Sequence, residues 1–209
     1  MHYNILDEKR KNIMPLLRNF KGRFYIAGGT ALAFHLGHRD SIDFDFFSSN
    51  DFDRIELFKE ITEIFSGHEI LKVQDEKNTL TVIIDNDIKL SFFGYKYKLI
   101  KPLFEEENID IASIEDIACM KLAAITSRAT NKDYLDLYFI LKKFSLADIL
   151  YFTEEKFPAI DRNLILKSLV YFEDIENEPM VFKEGNEISF NEIKESLKAS
   201  VKEFTENKS

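Results

Sequence analysis

The sequence is short of the residues that mark several protein classes. It has no tryptophan and a single cysteine, Cys119, which excludes an intramolecular disulfide and a cysteine-rich zinc site. Only 7 glycines and 4 prolines occur in 209 residues, too few for a long flexible linker or a low-complexity segment, and no internal repeat is present. Charge interrupts every apolar run within about ten residues, well short of the ~20 that a membrane span needs. The N-terminal MHYNILDEKRKN turns charged before a signal-peptide apolar stretch can form. These features point to the cytoplasm. An excess of basic residues is lacking too: 28 Lys and Arg stand against 37 Asp and Glu, a net charge of −9. Such a chain has no broad attraction for nucleic acid, so a polyanion must be met by a local basic cluster or through bound divalent metal.

What is abundant is apolar bulk. Hydrophobic residues make up 45%, with 20 Phe, enough for a packed core, and the length suits one large domain or a core with a smaller helical one. Residues 3–20 carry an amphipathic helical pattern that Pro15 kinks or splits. FYIA (24–27) is a short apolar strand ending in Gly28 and Gly29. Thr30 then opens a short helix that Gly37 stops. IDFDFF (42–47) is a strand. Asn50 or Asp51 caps a helix with a stripe from Ile55 to Phe65. Residues 69–93 alternate as a β-meander with a turn at Asn86 and Asp87, and 95–112 is a connector. Ser113 and Asp116 resemble a capping box that starts a helix running to about Ala129. Further helices are expected over 132–143, from Ser145, and near 161–171 and 190–204. The expected class is α+β: a small mixed sheet with flanking helices over 1–110, then a helical region over 111–209.

The chemically informative stretch is GGTALAFHLGHRDSIDFDFF, residues 28–47. Paired glycines after a strand let backbone approach a ligand closely, and the following helix offers free N–H groups and a positive dipole end to phosphate. Thirteen residues separate Gly29 from Asp43, which with Asp45 forms an i, i+2 pair. Strand alternation puts both carboxylates on one face, about 6–7 Å apart at Cα, where they can share one Mg²⁺ or bracket two ions. A glycine pair alone is usually a turn, and an Asp-x-Asp alone is usually an exposed strand face. Their combination in an otherwise apolar strand is different, because carboxylates there are costly unless paired or metal-bound.

This stretch resembles the signature of the DNA polymerase β-like nucleotidyltransferases. In its detail, GGTAL…LGHR…S-x-D-x-D-F-F, it is similar to the AbiEii/AbiGii family, the toxin half of type IV toxin–antitoxin and abortive-infection systems. The resemblance implies a polymerase β-like core. It implies that Gly28, Gly29 and Thr30 contact phosphates and that Asp43 and Asp45 bind Mg²⁺ or Mn²⁺. His38 and Arg39 fall at the family's His-Arg pair; Arg39 meets a phosphate, or holds the loop by pairing with Asp40 or Asp43. A second cluster, KLAAITSRATNKDYLDLYFIL, places Lys121 and Arg128 seven apart on one expected helix, hence on one face, with Lys132, Asp133 and Asp136 at the next. Alone it reads as a solvated charged face. It also matches the family's Lys…Arg…Lys-Asp…Asp motifs, which imply phosphate-binding cations and catalytic roles for Lys121 and Asp133. The resemblance spans about residues 20–145, with a weaker echo at YFEDIENEPM (171–180).

There is one departure. Most active members of the superfamily carry a third carboxylate on a later strand, and here Ser91 stands in that place, with Lys89 on the same face. Either two aspartates suffice, or Asp133 or Asp136 completes the site, or the protein binds nucleotide without turnover. The activity implied is NTP-dependent transfer of a nucleoside monophosphate, with tRNA as a candidate acceptor and a cognate antitoxin as a candidate partner. A binder without transfer and a transferase with a small acceptor are the rivals, the acidic composition favouring the latter over tRNA.

Overall fold

Along 44–48 and 88–94 the buried large apolar residues, Phe44, Phe46, Ile88, Leu90 and Phe92, recur at every second position, and this alternation sets which face of the sheet becomes core. In the computed structural model, which describes residues 1–206, the chain begins with α1 (Glu8–Leu17) between two 3₁₀ turns. There follow β1 (Tyr25–Ile26), α2 (Gly28–Leu36), β2 (Phe44–Ser48) and α3 (Arg54–Ile64). Next come β3 (Ile70–Glu76), β4 (Thr79–Ile84), β5 (Ile88–Gly94), β6 (Phe104–Glu105) and β7 (Asp110–Ile111). Five helices complete the chain: α4 (Ile114–Ile125), α5 (Asn131–Leu141), α6 (Leu146–Lys156), α7 (Arg162–Val170) and α8 (Phe190–Glu206). The sheet order is β3-β4-β5-β2-β1-β7-β6. Strands β2 and β5 run parallel, as do β1 and β7; the remaining pairs are antiparallel. The α+β architecture is the one expected.

One face of the central strands is closed by aromatic packing. Phe20 meets Phe46 and Phe92 edge-on at 5.5 and 5.0 Å, and Phe46 stacks on Phe92 at 4.8 Å. Each buried ring contributes roughly 1.5–3 kcal/mol from area alone. Leu80, Val82 and Leu90 extend the same buried face, and α3 packs on β4. The other face carries Asp45, Ser91 and Thr81 in one lateral row, because β2, β5 and β4 pair at those positions. In the helical half, α4 packs against α5 and α6 and also against α2, so the helices reach directly to the segment after β1. Among the described residues, no helix is long and apolar enough to cross a membrane. Cys119 is buried on α4, and burial pushes its thiol up to about 12, so it packs as core.

Several local expectations shift. Asp53, not Asn50 or Asp51, caps α3 by accepting from the Ile55 and Glu56 amides. Asp85 and Asn86 supply the positive φ angles of the β4–β5 turn, one residue earlier than expected. Pro15 sits inside an unbroken α1, and the 3–20 pattern divides instead at the Asp7 cap and after Leu17. Helix α2 starts at Gly28 rather than Thr30. The connector 95–112 contains two short strands, which are too brief to show a period.

That connector is held by a buried ion pair. Asp116 accepts from the amides of Ile100 and Lys101 and from Ser113 Oγ, and its carboxylate lies 2.7 Å from Lys156 Nζ; both side chains are fully buried. Breaking one side of such a pair strands the other charge in the core, at about 3–5 kcal/mol. Asp116→Ala is therefore expected to lower the free energy of unfolding by about that amount in a urea titration. A loss below about 1 kcal/mol would contradict the role assigned to the pair.

Candidate active site

The site begins where β1 turns into α2. Gly28 has φ +73°, a left-handed backbone that side-chain-bearing residues rarely adopt, and a Cβ there would stand 3.6 Å from Asp45 Oδ2. Gly29 is required for a different reason: a Cβ there would collide with Nη2 of Arg39, whose guanidinium lies against the first turn of α2. Ala27, the residue before the helix, offers no side-chain cap. The first-turn N–H groups of α2 lack an intrahelical partner and lie beside the Arg39 guanidinium, an arrangement that suits an anion.

Asp43 and Asp45 are placed by their neighbours. Asp43 precedes β2 rather than lying in it, a correction to the 42–47 strand. Its carbonyl accepts a short hydrogen bond from Thr30 Oγ1, which also contacts Ser41 Oγ at 2.7 Å. The Thr30 hydroxyl is buried and engaged in the loop, where it holds Asp43 in place. The carbonyl of Ile42 accepts from Arg10 Nε at 2.6 Å, and Arg10 also holds Asp87 of the β4–β5 turn. Asp45 accepts the Ala27 amide at its own carbonyl, 3.2 Å away, which fixes it beside the glycine turn.

Burial raises the Asp45 carboxyl above the ordinary aspartate range, and Asp43 adds to this; Lys89, a hydrogen bond from Ser91 and Lys121 oppose it. Ser91 therefore shares the face of Asp45, directly across the β2–β5 pair. Lys89 Nζ lies 3.7 Å from Asp43 Oδ2, with both side chains 44% exposed. Among the described residues, no group of three or more His, Cys, Asp or Glu forms a metal cage. The aspartate pair still suits Mg²⁺, which commonly takes one or two carboxylates and completes its shell with water and substrate phosphates.

The charged residues of α4 and α5 converge on one carboxylate. Asp136, fully buried, is 2.7 Å from Lys121 Nζ, accepts from Arg39 Nε and Nη2 at 2.8 and 2.9 Å, and is 2.8 Å from His38 Nε2. Burial alone would raise its pKa; Arg39 and Lys121 outweigh that and hold it well below the carboxylate range. Burial likewise opposes the charge on Lys121, and Asp136 and Asp133 more than restore it. Asp133 bonds Lys121 at 2.8 Å and closes a capping box with Thr130 at the start of α5.

Sequence reasoning placed some of these residues and missed others. Arg128 does not share a helix with Lys121: α4 ends at Ile125, and Thr126 and Ser127 turn their hydroxyls back onto the carbonyls of Ala123 and Ala124. Arg128 is exposed in the following loop. Lys132 pairs with Glu178 at 2.8 Å, and Arg39 pairs with Asp136 rather than with Asp40 or Asp43. Arg10 was missed, and the strap over 176–183 was seen only in part. The strap bridges Thr130 at Glu176 and Arg39 at Phe182, and the Asp40 amide donates to the Val181 carbonyl at 2.8 Å. The faint echo at 171–180 was its only sequence trace.

This arrangement belongs to a known class. The chain shares its fold with MenT4, the nucleotidyltransferase toxin Rv2826c of Mycobacterium tuberculosis H37Rv, at a TM-score of 0.60, 15% identity and 93% and 82% coverage of the two chains. It shares it also with JHP933 of Helicobacter pylori, at a TM-score of 0.58, 17% identity and 97% and 94% coverage. The fold is that of a nucleotidyltransferase. The chain belongs to the AbiEii nucleotidyl transferase toxin family of type IV toxin–antitoxin systems, whose model matches residues 16–204. It is also 40% identical over 192 residues to aq_aa25 of Aquifex aeolicus (strain VF5), covering 88% of this chain and 89% of that protein.

The raised Asp45 carboxyl has a measurable consequence. Below the ordinary aspartate value of 3.8, Asp45 is neutral in the folded and the unfolded chain. The stability this confers is lost as pH rises through the raised folded value, because ionisation is resisted only in the fold. Asp45→Asn is expected to raise the melting temperature of the metal-free protein at pH 7, by roughly 2–4 °C, with the gain shrinking towards pH 4. Scanning fluorimetry across that range checks it; a lower melting temperature for the variant at pH 7 would contradict it.

Proposed function

We propose that this protein transfers a nucleoside monophosphate from an NTP to an acceptor hydroxyl with the help of Mg²⁺ or Mn²⁺. The observation that carries this is the closeness of the Asp45 carboxylate to the glycine turn that opens α2, which puts a metal ligand beside an anion cradle. In this reading Asp43 and Asp45 hold the ion. The first turn of α2, from Gly28 to Thr30, receives the triphosphate, with Arg39 and Lys121 as its cations. Asp133 and Asp136 keep those cations in place, while Arg128 is exposed after α4 and Lys132 is paired with Glu178. An ion held there would supply positive charge to offset the triphosphate and to polarise the α-phosphate. The chain's own residues align the α-phosphorus with the incoming oxygen. That oxygen forms a bond to phosphorus as the α–β bridge breaks, pyrophosphate leaves, and the acceptor's proton passes to solvent.

In this reading the protein acts in the cytoplasm as a toxin controlled by a cognate antitoxin, with tRNA as the candidate acceptor and growth arrest or phage defence as the outcome. Membership of the AbiEii toxin family supports the antitoxin partner. A second reading is supported by Ser91, which stands across from Asp45 without the charge of a third carboxylate. In that reading the protein binds nucleotide without transfer.

Incubation with each α-labelled NTP, Mg²⁺ and total tRNA, followed by gel separation, decides between them. Label on tRNA is expected with the native protein and is expected to fall by at least about 100-fold with Asp45→Asn. No label from any NTP, with tRNA or small alcohols as acceptor, would overturn transfer and leave the binding reading.

A further inference from the structure

The sheet face that carries Asp45 holds an unusual balance of charge around the aspartate pair. Ser91 faces Asp45 in register on β5. Two residues earlier on the same face, Lys89 reaches Asp43, with its Nζ 3.7 Å from Oδ2. Continuing outward along those rows, β4 and β3 present Thr81 and Gln74 beside Ser91, and Ile83 and Leu71 beside Lys89. No carboxylate enters the rows from that side. From the helical side, Asp133 and Asp136 are already engaged by Lys121 and Arg39. Two carboxylates and one ammonium leave a single net negative charge. That is too little to bracket two divalent ions, which a third carboxylate would otherwise help to hold.

Resting on the transfer reading above, we propose that Lys89 is the fixed second cation of this site. Its ammonium limits the Asp43/Asp45 pair to one divalent ion and neutralises the triphosphate where a second ion would otherwise sit. The side chain is suited to this. A lysine has a flexible stem and a compact, strongly hydrated head, and this one is 44% exposed. When a divalent ion takes the Asp43 carboxylate, the ammonium is released from it and remains within a stem's reach of the phosphates that follow the ion. An exposed ion pair of this kind adds little to stability, so substituting Lys89 leaves the fold intact.

Two consequences separate this role from that of a passive surface pair. Lys89 and the metal compete for Asp43 in the absence of nucleotide, and they cooperate once nucleotide is present. The test is titration of Mn²⁺, followed by calorimetry and by the EPR signal of free Mn²⁺, with and without a non-hydrolysable NTP analogue. The full-length native protein is compared with Lys89→Gln, Lys89→Arg and Asp45→Asn, each checked for folding by circular dichroism. One Mn²⁺ per native chain is expected. For Lys89→Gln, Mn²⁺ alone is expected to bind roughly tenfold tighter, because a positive charge beside the ion is gone. The gain in Mn²⁺ affinity brought by the analogue is expected to shrink by a similar factor, and Lys89→Arg is expected to stay near native behaviour in both. Two Mn²⁺ per native chain, or a Lys89→Gln affinity within twofold of native, would overturn the proposal. The Asp45→Asn arm reads the underlying site: if that variant binds Mn²⁺ as the native protein does, the metal assignment itself fails, whatever Lys89 shows.

Discussion

The carboxylate of Asp136 is the point on which the site depends. It is fully buried, which no lone carboxylate tolerates at neutral pH, and it stays ionised because a guanidinium, an ammonium and an imidazole surround it. Those partners come from parts of the chain distant from α5, which carries Asp136: the loop at 38–39 and helix α4. One charge thereby fixes the loop after α2 against the helical half. Arg39 is held in turn against the first turn of α2, and this explains why Gly29 has no room for a side chain. The same economy of burial applies to Lys121, whose charge survives in the interior only because Asp136 and Asp133 both meet it. Arg39 and Lys121 are thus held in place by buried carboxylates within the fold itself.

The aspartate pair is positioned in a complementary way. Asp43 sits in a loop, and its geometry comes from Thr30, Ser41 and the buried Arg10, which ties the adjacent Ile42 carbonyl to the β4–β5 turn. Asp45 is set by strand pairing on both sides, to Ala27 and to Ser91. Its carboxyl is raised because burial outweighs the cations Lys89 and Lys121 that oppose the shift. A divalent ion would relieve the cost of that burial. The strap at 176–183 then braces both ends of the arrangement, bonding to residues 38–40 and to the cap of α5.

Local features of this design were legible in the sequence. The strand, the paired glycines, the short helix and the alternating aspartates all lie within residues 24–45, and each follows from backbone rules that act at short range. Alternation along IKLSFF correctly put Lys89 and Ser91 on one face, and strand pairing turned that face towards Asp45. What stayed hidden depends on long-range partners. Nothing in the composition says that Asp136 rather than Asp40 receives Arg39, since the choice is made by how α5 packs beside α2. Arg10 reads as a solvated residue of an amphipathic helix until the fold buries it against Ile42. The end of α4 was obscured because ITSRA has neither glycine nor proline; side-chain hydroxyls bonding back to the helix ended it instead. The strap and the two-residue strands β6 and β7 carry no periodicity at all.

The most direct test of this assembly is a crystal structure of the full chain with Mn²⁺ and a non-hydrolysable NTP. Anomalous density for Mn²⁺ is expected between Asp43 and Asp45, with the triphosphate on the first turn of α2 and Arg39 and Lys121 turned to it while still bonded to Asp136. A nucleotide bound elsewhere, or Mn²⁺ absent from the aspartate pair, would contradict the account.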